Sequence, residues 1–192
     1  MALGPPGLTG VVLAGGAGRR IGGDKAVRPL AGRPLVAYPV TALESVCERV
    51  AVVVKPATKL PPLARVERWT EPAEPRHPVT GLIFALERAG GSILVCAADM
   101  PFVTADACRA LIAAGGSGAV TVAAAGRSIE PLLAVYRPAA LEALRRSPPD
   151  IPMRTLVEAL GPVRVALPQS ILRSVNTLDD LRAAECELGA RR

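Results

Sequence analysis

The 192-residue sequence predicts an α/β fold, a single three-layer α/β/α domain in which helices cover both faces of a mostly parallel sheet. Three observations predict it. Short β-branched runs alternate with segments of helical periodicity, the pattern that crossovers between parallel strands produce. Half of the residues are apolar but only 3% are aromatic, so the core is built from Val, Leu and Ala, as strands buried on both faces require. A glycine-rich segment directly follows the first strand, where open α/β sheets gather ligands.

The elements follow in order. Val11-Val12-Leu13 is a short strand ended by glycines. Leu35 to Val46 has helical periodicity, and Val50 to Val54 is a continuous β-branched run closed by Pro56. Val79 to Ala89 is helical, with Thr80 as its expected cap. Ser92 to Ala97 is a buried strand ended by Asp99 and Pro101, and Thr104 caps a helix running to Ala114. Gly118 to Ala124 and Leu132 to Tyr136 are strands. Pro138 opens a helix to Arg146, at a position where its missing N–H costs nothing. Val163 to Leu167 is a strand, and Thr177 to Leu188 a final helix. The crossovers are expected to be right-handed. The length suits one domain over 1–192, with its core over about 9–188.

Composition narrows the function. The net charge of +6 is spread along the chain, and two Phe, two Tyr and one Trp do not supply a stacking platform. Nucleic-acid binding is therefore not expected, and an anionic small molecule fits the charge better. No apolar run approaches the 18 residues of a membrane span, and the first nine residues lack the features of a signal peptide, so a cytoplasmic protein without a membrane partner is expected. The four cysteines form no C-x-x-C pair, which argues against zinc; Cys47 and Cys96 lie in apolar runs and are expected to be buried thiols.

The ligand rule directs attention to the residues after Leu13, after Val54, after Ala97 and around Val175. After Leu13 comes Ala14-Gly15-Gly16-Ala17-Gly18-Arg19-Arg20-Ile21-Gly22-Gly23-Asp24-Lys25. Glycines allow close backbone approach, successive N–H groups cradle phosphate oxygens, and Arg19, Arg20 and Lys25 add cationic donors. A P-loop is excluded because Asp24 stands where its lysine belongs. The dinucleotide fingerprint is excluded because Ile21 replaces the third glycine and Lys55, not an acid, follows the second long strand. A plain surface loop is the competing reading. Asp99, delivered by a buried strand, is a hard oxygen ligand suited to Mg²⁺, or equally a turn former before Pro101. His77 is the only histidine and has no evident catalytic partner in the sequence.

The segment from Leu13 to Lys25 resembles the signature of nucleotidyltransferases related to molybdenum cofactor guanylyltransferase. The strand-Asp99-Met100-Pro101 pattern is similar to that family's metal site. Arg76 to Leu82 resembles its Gly-Pro-Leu-x-Gly segment, with His77 in place of the first glycine. Glu130-Pro131-Leu132-Leu133 resembles a later segment on the acceptor side, and Ser174 to Leu181 a closing Asn-x-Asn-Thr-Pro-x-Asp segment in which Asn176 is kept.

The resemblance implies a Rossmann-like sheet of nucleotidyltransferase topology. It implies transfer of GMP from GTP to molybdopterin cofactor, with Mg²⁺ as cofactor and pyrophosphate as leaving group. Leu13, Ala14, Gly15 and Gly16 are implied to hold the nucleoside, and Arg19 and Lys25 the triphosphate. Asp99 would act with them in catalysis. Glu71, with Glu74 as rival, would lie near the base or ribose. Asp99 and Asn176 would lie at the metal, although Asn176 equally suits a helix cap beside Thr177. Lys55 stands where the family often has Asn. GTP and the cofactor are the implied small-molecule partners, molybdoenzymes or cofactor-biosynthesis proteins the implied protein partners, and a monomer or weak oligomer the expected state. The alternatives are a relative using CTP or another triphosphate with a molybdopterin, sugar or alcohol phosphate acceptor, and a non-catalytic nucleotide-binding regulator.

Overall fold

In the computed structural model, which describes residues 7–16, 23, 25–148 and 150–189, a seven-stranded sheet runs through the middle of the chain. Its strands are β1 (Thr9–Leu13), β4 (Arg49–Val54), β5 (Val66–Thr70), β6 (Ile93–Ala97), β7 (Val120–Ala125), β8 (Ser128–Tyr136) and β9 (Val163–Ala166), in the order β5-β4-β1-β6-β8-β7-β9. A separate small hairpin pairs β2 (Pro29–Leu30) with β3 (Arg33–Pro34). In the seven-stranded sheet β8 runs antiparallel to both of its neighbours and the other pairings are parallel.

The alternation of side chains along each strand builds two cores. Val12, Val52, Val54, Leu94 and Cys96 face one layer, where α1 (Ala37–Glu44) and α3 (Ala105–Ala113) bring Leu43, Cys108 and Leu111. Val11, Ala51, Val53 and Val95 face the other, where α2 (Pro78–Ala89), α4 (Leu141–Arg146) and α5 (Met153–Ala159) bring Leu82, Leu86, Leu144 and Val157. This is the expected three-layer α/β/α arrangement. A third, smaller cluster joins α6 (Leu178–Gly189) to the hairpin through Ala184, Leu30, Leu35 and Val175.

The caps explain most differences from the expected boundaries. Helix α2 starts at Pro78 and its cap is His77, not Thr80: the His77 ring accepts the Val79 N–H through Nδ1 at 3.3 Å. A cap must precede the first helical residue in extended backbone, as His77 does, whereas Thr80 is already inside the helix. The helix stops where Gly90 turns left-handed at φ 66°. Thr104 caps α3 as expected, accepting the Ala107 N–H. Cys47 and Cys96 are buried as expected, and Cys108 is buried with them. Burial pushes the thiols of Cys47 and Cys108 up to about 12, so they are inert core groups. No described helix is long and apolar enough to cross a membrane.

Two-residue strands β2 and β3, edge strand β5 and helix α5 lie outside the expected elements, and β8 begins at Ser128 rather than Leu132. The β7–β8 ladder slips between Val122, opposite Ala134, and Ala123, opposite Glu130. The bulge lets Pro131, which has no N–H to give, sit inside a strand, and it re-aims the chain so that Leu132 reaches the central cleft. The buried Tyr136 hydroxyl donates to Pro131 O at 2.8 Å and ties the bulge down. Tyr136→Phe would leave that carbonyl without its donor. A loss of about 1–2 kcal/mol is expected in urea unfolding, with the unfolding slope unchanged.

Candidate active site

A cleft of about 500 Å³ opens at the carboxyl ends of β1, β4 and β6. The topology puts it there. The chain passes from β1 to β4 and β5 on one side, then crosses back to place β6 on the other, which leaves a crevice where the connections diverge. Its walls come from all four places the ligand rule singles out: Leu13 to Gly16 after β1, Lys55 after β4, Ala98 and Asp99 after β6, and Asn176 beside Val175.

The backbone continues the sheet into these loops. Ala14 N–H donates to Val53 O at 2.8 Å, Ala98 N–H to Leu13 O at 3.0 Å, and Glu71 N–H to Val54 O at 2.9 Å. Lys55, Glu71 and Asp99 therefore stand one or two residues beyond the ends of β4, β5 and β6.

One end of the cleft holds a cation between two oxygens. Lys25, in the short helical turn Lys25–Val27, donates through Nζ to Asp99 Oδ2 at 2.5 Å and to Asn176 Oδ1 at 2.8 Å. The Lys25 and Asp99 side chains are only 14% and 20% exposed. Asp99 Oδ1 is buried without a hydrogen-bond partner among the described residues, an arrangement that leaves one hard oxygen open. Val175 N–H donates to Asp99 O at 2.8 Å, which pins the segment before α6 against the strand end.

The two competing roles of Asn176 separate cleanly. Thr177 caps α6, with its Oγ1 accepting the Asp180 N–H at 3.1 Å, and Asp180 Oδ2 accepts both the Asn176 and Thr177 N–H groups at 2.8 Å. This is a reciprocal capping box. Those backbone hydrogen bonds, that of Asn176 first, hold the Asp180 carboxyl below its ordinary value. The Asn176 amide is thereby left to Lys25 and the cleft.

The other end is built around Glu71, just past β5 and 5% exposed. Its Oε2 lies 3.3 Å from Lys55 Nζ but makes no hydrogen bond. Gly15 and Gly81 flank it: a Cβ on Gly15 would stand 2.8 Å from Glu71 Oε1, and one on Gly81 3.6 Å from Oε2. Burial pushes the Glu71 carboxyl up, and the Lys55 charge pulls it part of the way back. Glu74 is not in the cleft; it is exposed and paired with Arg76 at 2.9 Å. Arg76 and His77 do line the cleft, but His77 uses Nδ1 as the α2 cap.

The structure thus brings together Leu13, Ala14, Gly15, Gly16, Lys25, Glu71, Asp99 and Asn176 around one space. Arg19, Arg20 and Asp24 lie outside the described residues. Lys55 forms part of the floor; it stands directly after the buried run Val50 to Val54, one of the four places the ligand rule singles out, although the sequence assigns it no role there. Glu130 lies on β8 with its Oε1 accepting the Leu132 N–H at 3.1 Å, and burial pushes its carboxyl up. No group of three or more His, Cys, Asp or Glu side chains able to hold a metal exists among the described residues.

A parallel-dominated sheet with a glycine-edged cleft at its switch point, holding a lysine, an aspartate and a buried glutamate, defines a nucleotide-binding α/β protein. Comparison with known proteins gives the particular family. Residues 10–165 match the model of the MobA-like NTP transferase domain, and the chain belongs to that family of nucleotidyltransferases. A Mycobacterium avium protein named probable molybdenum cofactor guanylyltransferase is 34% identical over 186 residues, 92% of this chain and 94% of the relative. The molybdenum cofactor guanylyltransferase of Cereibacter sphaeroides is 33% identical over 191 residues, covering 93% and 95%. The crystal structure of molybdopterin-guanine dinucleotide biosynthesis protein A from Archaeoglobus fulgidus superposes with a TM-score of 0.74 at 25% identity, covering 96% of this chain and all of that one.

Proposed function

We propose that this chain transfers GMP from GTP to the phosphate of molybdopterin cofactor, releasing pyrophosphate and forming the guanine dinucleotide. The observation that carries the reading is the convergence of Lys25, Asp99 and Asn176 beside the glycine segment. The named activity of full-length relatives supports it.

The residues fit a divalent cation. Asp99 Oδ1 is an unpartnered carboxylate oxygen at the rim of the cleft, with Asn176 Oδ1 beside it. A site with one carboxylate suits Mg²⁺, which shares its remaining positions among phosphate and water. When bound, the ion would neutralise and polarise the phosphate oxygens. Asp99 and Asn176 would hold it.

The chain's own groups do the rest by positioning. Ala14 to Gly16 lack bulky side chains, so the nucleoside can lie against their backbone. Lys25, freed from its carboxylate by the incoming anion, neutralises charge on the triphosphate, and Arg19 is proposed to assist. An oxygen of the acceptor phosphate attacks the α-phosphorus, and the bond from that phosphorus to the bridging oxygen breaks. Pyrophosphate leaves with the electron pair. No protein nucleophile is required, as expected for transfer at phosphorus. Glu71, with an acceptor oxygen unpaired, faces the nucleoside end, where guanine offers two adjacent donors, its ring N–H and its amino group.

The test is product identification. GTP, Mg²⁺ and molybdenum cofactor incubated with the protein should yield a species heavier by one GMP, seen by mass spectrometry. Absence of adduct with every triphosphate, despite tight nucleotide binding, would make the protein a regulator. Gly15→Ala probes the nucleoside end. The added Cβ would meet Glu71 Oε1 at 2.8 Å, so the carboxylate must shift away from its place beside Gly15. A displacement of this order is expected to raise KM for GTP by about 10- to 100-fold with an unchanged melting temperature.

A further inference from the structure

Lys55 is an unusual side chain to find under a nucleotide cleft. It is 7% exposed, at the end of the buried strand β4. Its ammonium donates to Pro72 O at 2.7 Å and to Pro75 O at 2.9 Å, and faces Glu71 Oε2 at 3.3 Å. Two of its three protons are bonded to these carbonyls, and its charge faces the Glu71 carboxylate. Its stem runs beneath the glycine segment: the Cβ position of Gly15 lies 3.5 Å from Lys55 Cγ and 3.8 Å from Cε. One side chain therefore floors the backbone against which the nucleoside lies, ties down the 72–75 segment leading to Arg76 and His77, and supplies the countercharge for Glu71.

We infer that Lys55 is a positioning residue that acts on the nucleotide through Glu71, making the nucleoside end of the cleft an acceptor surface that selects a base with two adjacent donors. This rests on the proposed reading of the cleft as a triphosphate site. Without the ammonium, Glu71 is a buried carboxylate with no ion-pair partner among the described residues. It would then take up a proton or swing out of the slot between Gly15 and Gly81. A protonated Glu71 offers an O–H donor, and the preference for donor-bearing bases fades. The two carbonyls of Pro72 and Pro75 lose their donor in the same change, and the loop they belong to loosens.

The experiment measures binding of the four nucleoside triphosphates by calorimetry, with steady-state pyrophosphate release alongside, for wild type, Lys55→Met, Glu71→Gln and the double variant. Wild type should prefer GTP over ATP. Lys55→Met should weaken GTP binding by about tenfold or more and narrow the preference over ATP. KM should rise while kcat stays within about threefold, the signature of a group that holds the ground state and transition state alike. The double variant should bind GTP no worse than Glu71→Gln alone, because Lys55 acts through that carboxylate. It also leaves no unpaired buried charge, so it answers the question if Lys55→Met fails to fold. Unaltered GTP binding by Lys55→Met overturns the inference. So does a double variant about tenfold weaker than Glu71→Gln, which would give Lys55 a contact of its own. A wild type that binds all four triphosphates alike overturns it too, whatever the release assay shows. Tight, GTP-selective binding with no pyrophosphate release would instead sink the transferase reading and leave the Lys55 test standing.

Discussion

Asp99→Asn is expected to lower pyrophosphate release by about a thousandfold or more, with the melting temperature near that of wild type. The backbone at Asp99 keeps its role in either case, because Asp99 O still accepts the Val175 N–H at 2.8 Å. What is lost is charge. Oδ1, buried and without a partner among the described residues, is the oxygen proposed to hold the cation, and Oδ2 is the one that Lys25 grips at 2.5 Å. An amide keeps the shape but offers one neutral oxygen and two unwanted donors. Mn²⁺ binding in the presence of GTP, followed by electron spin resonance, should weaken in parallel with the rate. A rate loss without weaker Mn²⁺ binding would move Asp99 from the metal to another task.

Lys25→Met is expected to cost about 100- to 1,000-fold in kcat/KM, divided between a higher KM for GTP and a lower kcat. Lys25 bridges Asp99 and Asn176, which lie 74 and 151 residues away from it in the chain. It lines the same cleft as Gly15 and Gly16 and holds the two oxygens proposed to bind the metal. Lys25→Arg should rescue poorly. A compact ammonium fits between two oxygens, whereas a planar guanidinium is longer and presents its donors in a fork. The partner carboxylate also loses its countercharge in Lys25→Met. Mild destabilisation, relieved by adding Asp99→Asn, is the thermal signature to look for. If kcat/KM stays within about threefold, Lys25 is a structural cation and not part of the transfer machinery.

How much of this was legible in the sequence depends on burial. Strands β1, β4 and β6 are nearly continuous apolar runs because both faces are covered, and each is visible as such. Strand β5 was not, because it is an edge strand in which only Trp69 is buried among Val66, Glu67, Arg68 and Thr70. Glu71 therefore could be named only from a resemblance, and Glu74 stayed as its rival until the fold placed one inside and one outside. The first half of β8 hid behind Pro131, which a regular strand excludes and a bulge admits. Helix α5 is short and buries only Leu156 and Val157, too little for a periodic signal. His77 looked like a loop residue because the sequence gives no sign that an imidazole caps a helix.

The site shows the same division. The glycine segment is a local pattern at a strand end and stands out by itself, whereas Asp99, also at a strand end, reads equally as a turn former until the resemblance favours the metal. The pairing of Lys25 with Asn176 crosses most of the chain and exists only once the final helix docks beside the strand ends. Asn176 had two equal readings in the sequence, and the Thr177–Asp180 capping box is what releases its side chain. Lys55 is visible as the residue that follows a buried strand, but the two carbonyls and the carboxylate around its ammonium come from a later segment and show only in the fold.

The most direct test of the central claim is pyrophosphate release by the wild-type protein with Mg²⁺ and each of the four nucleoside triphosphates, with and without molybdenum cofactor. Release with GTP above the other three, and only when the acceptor is present, is the expected result. Release that is independent of the acceptor, or equal rates with all four triphosphates, or no release at all while GTP binds tightly, would contradict it.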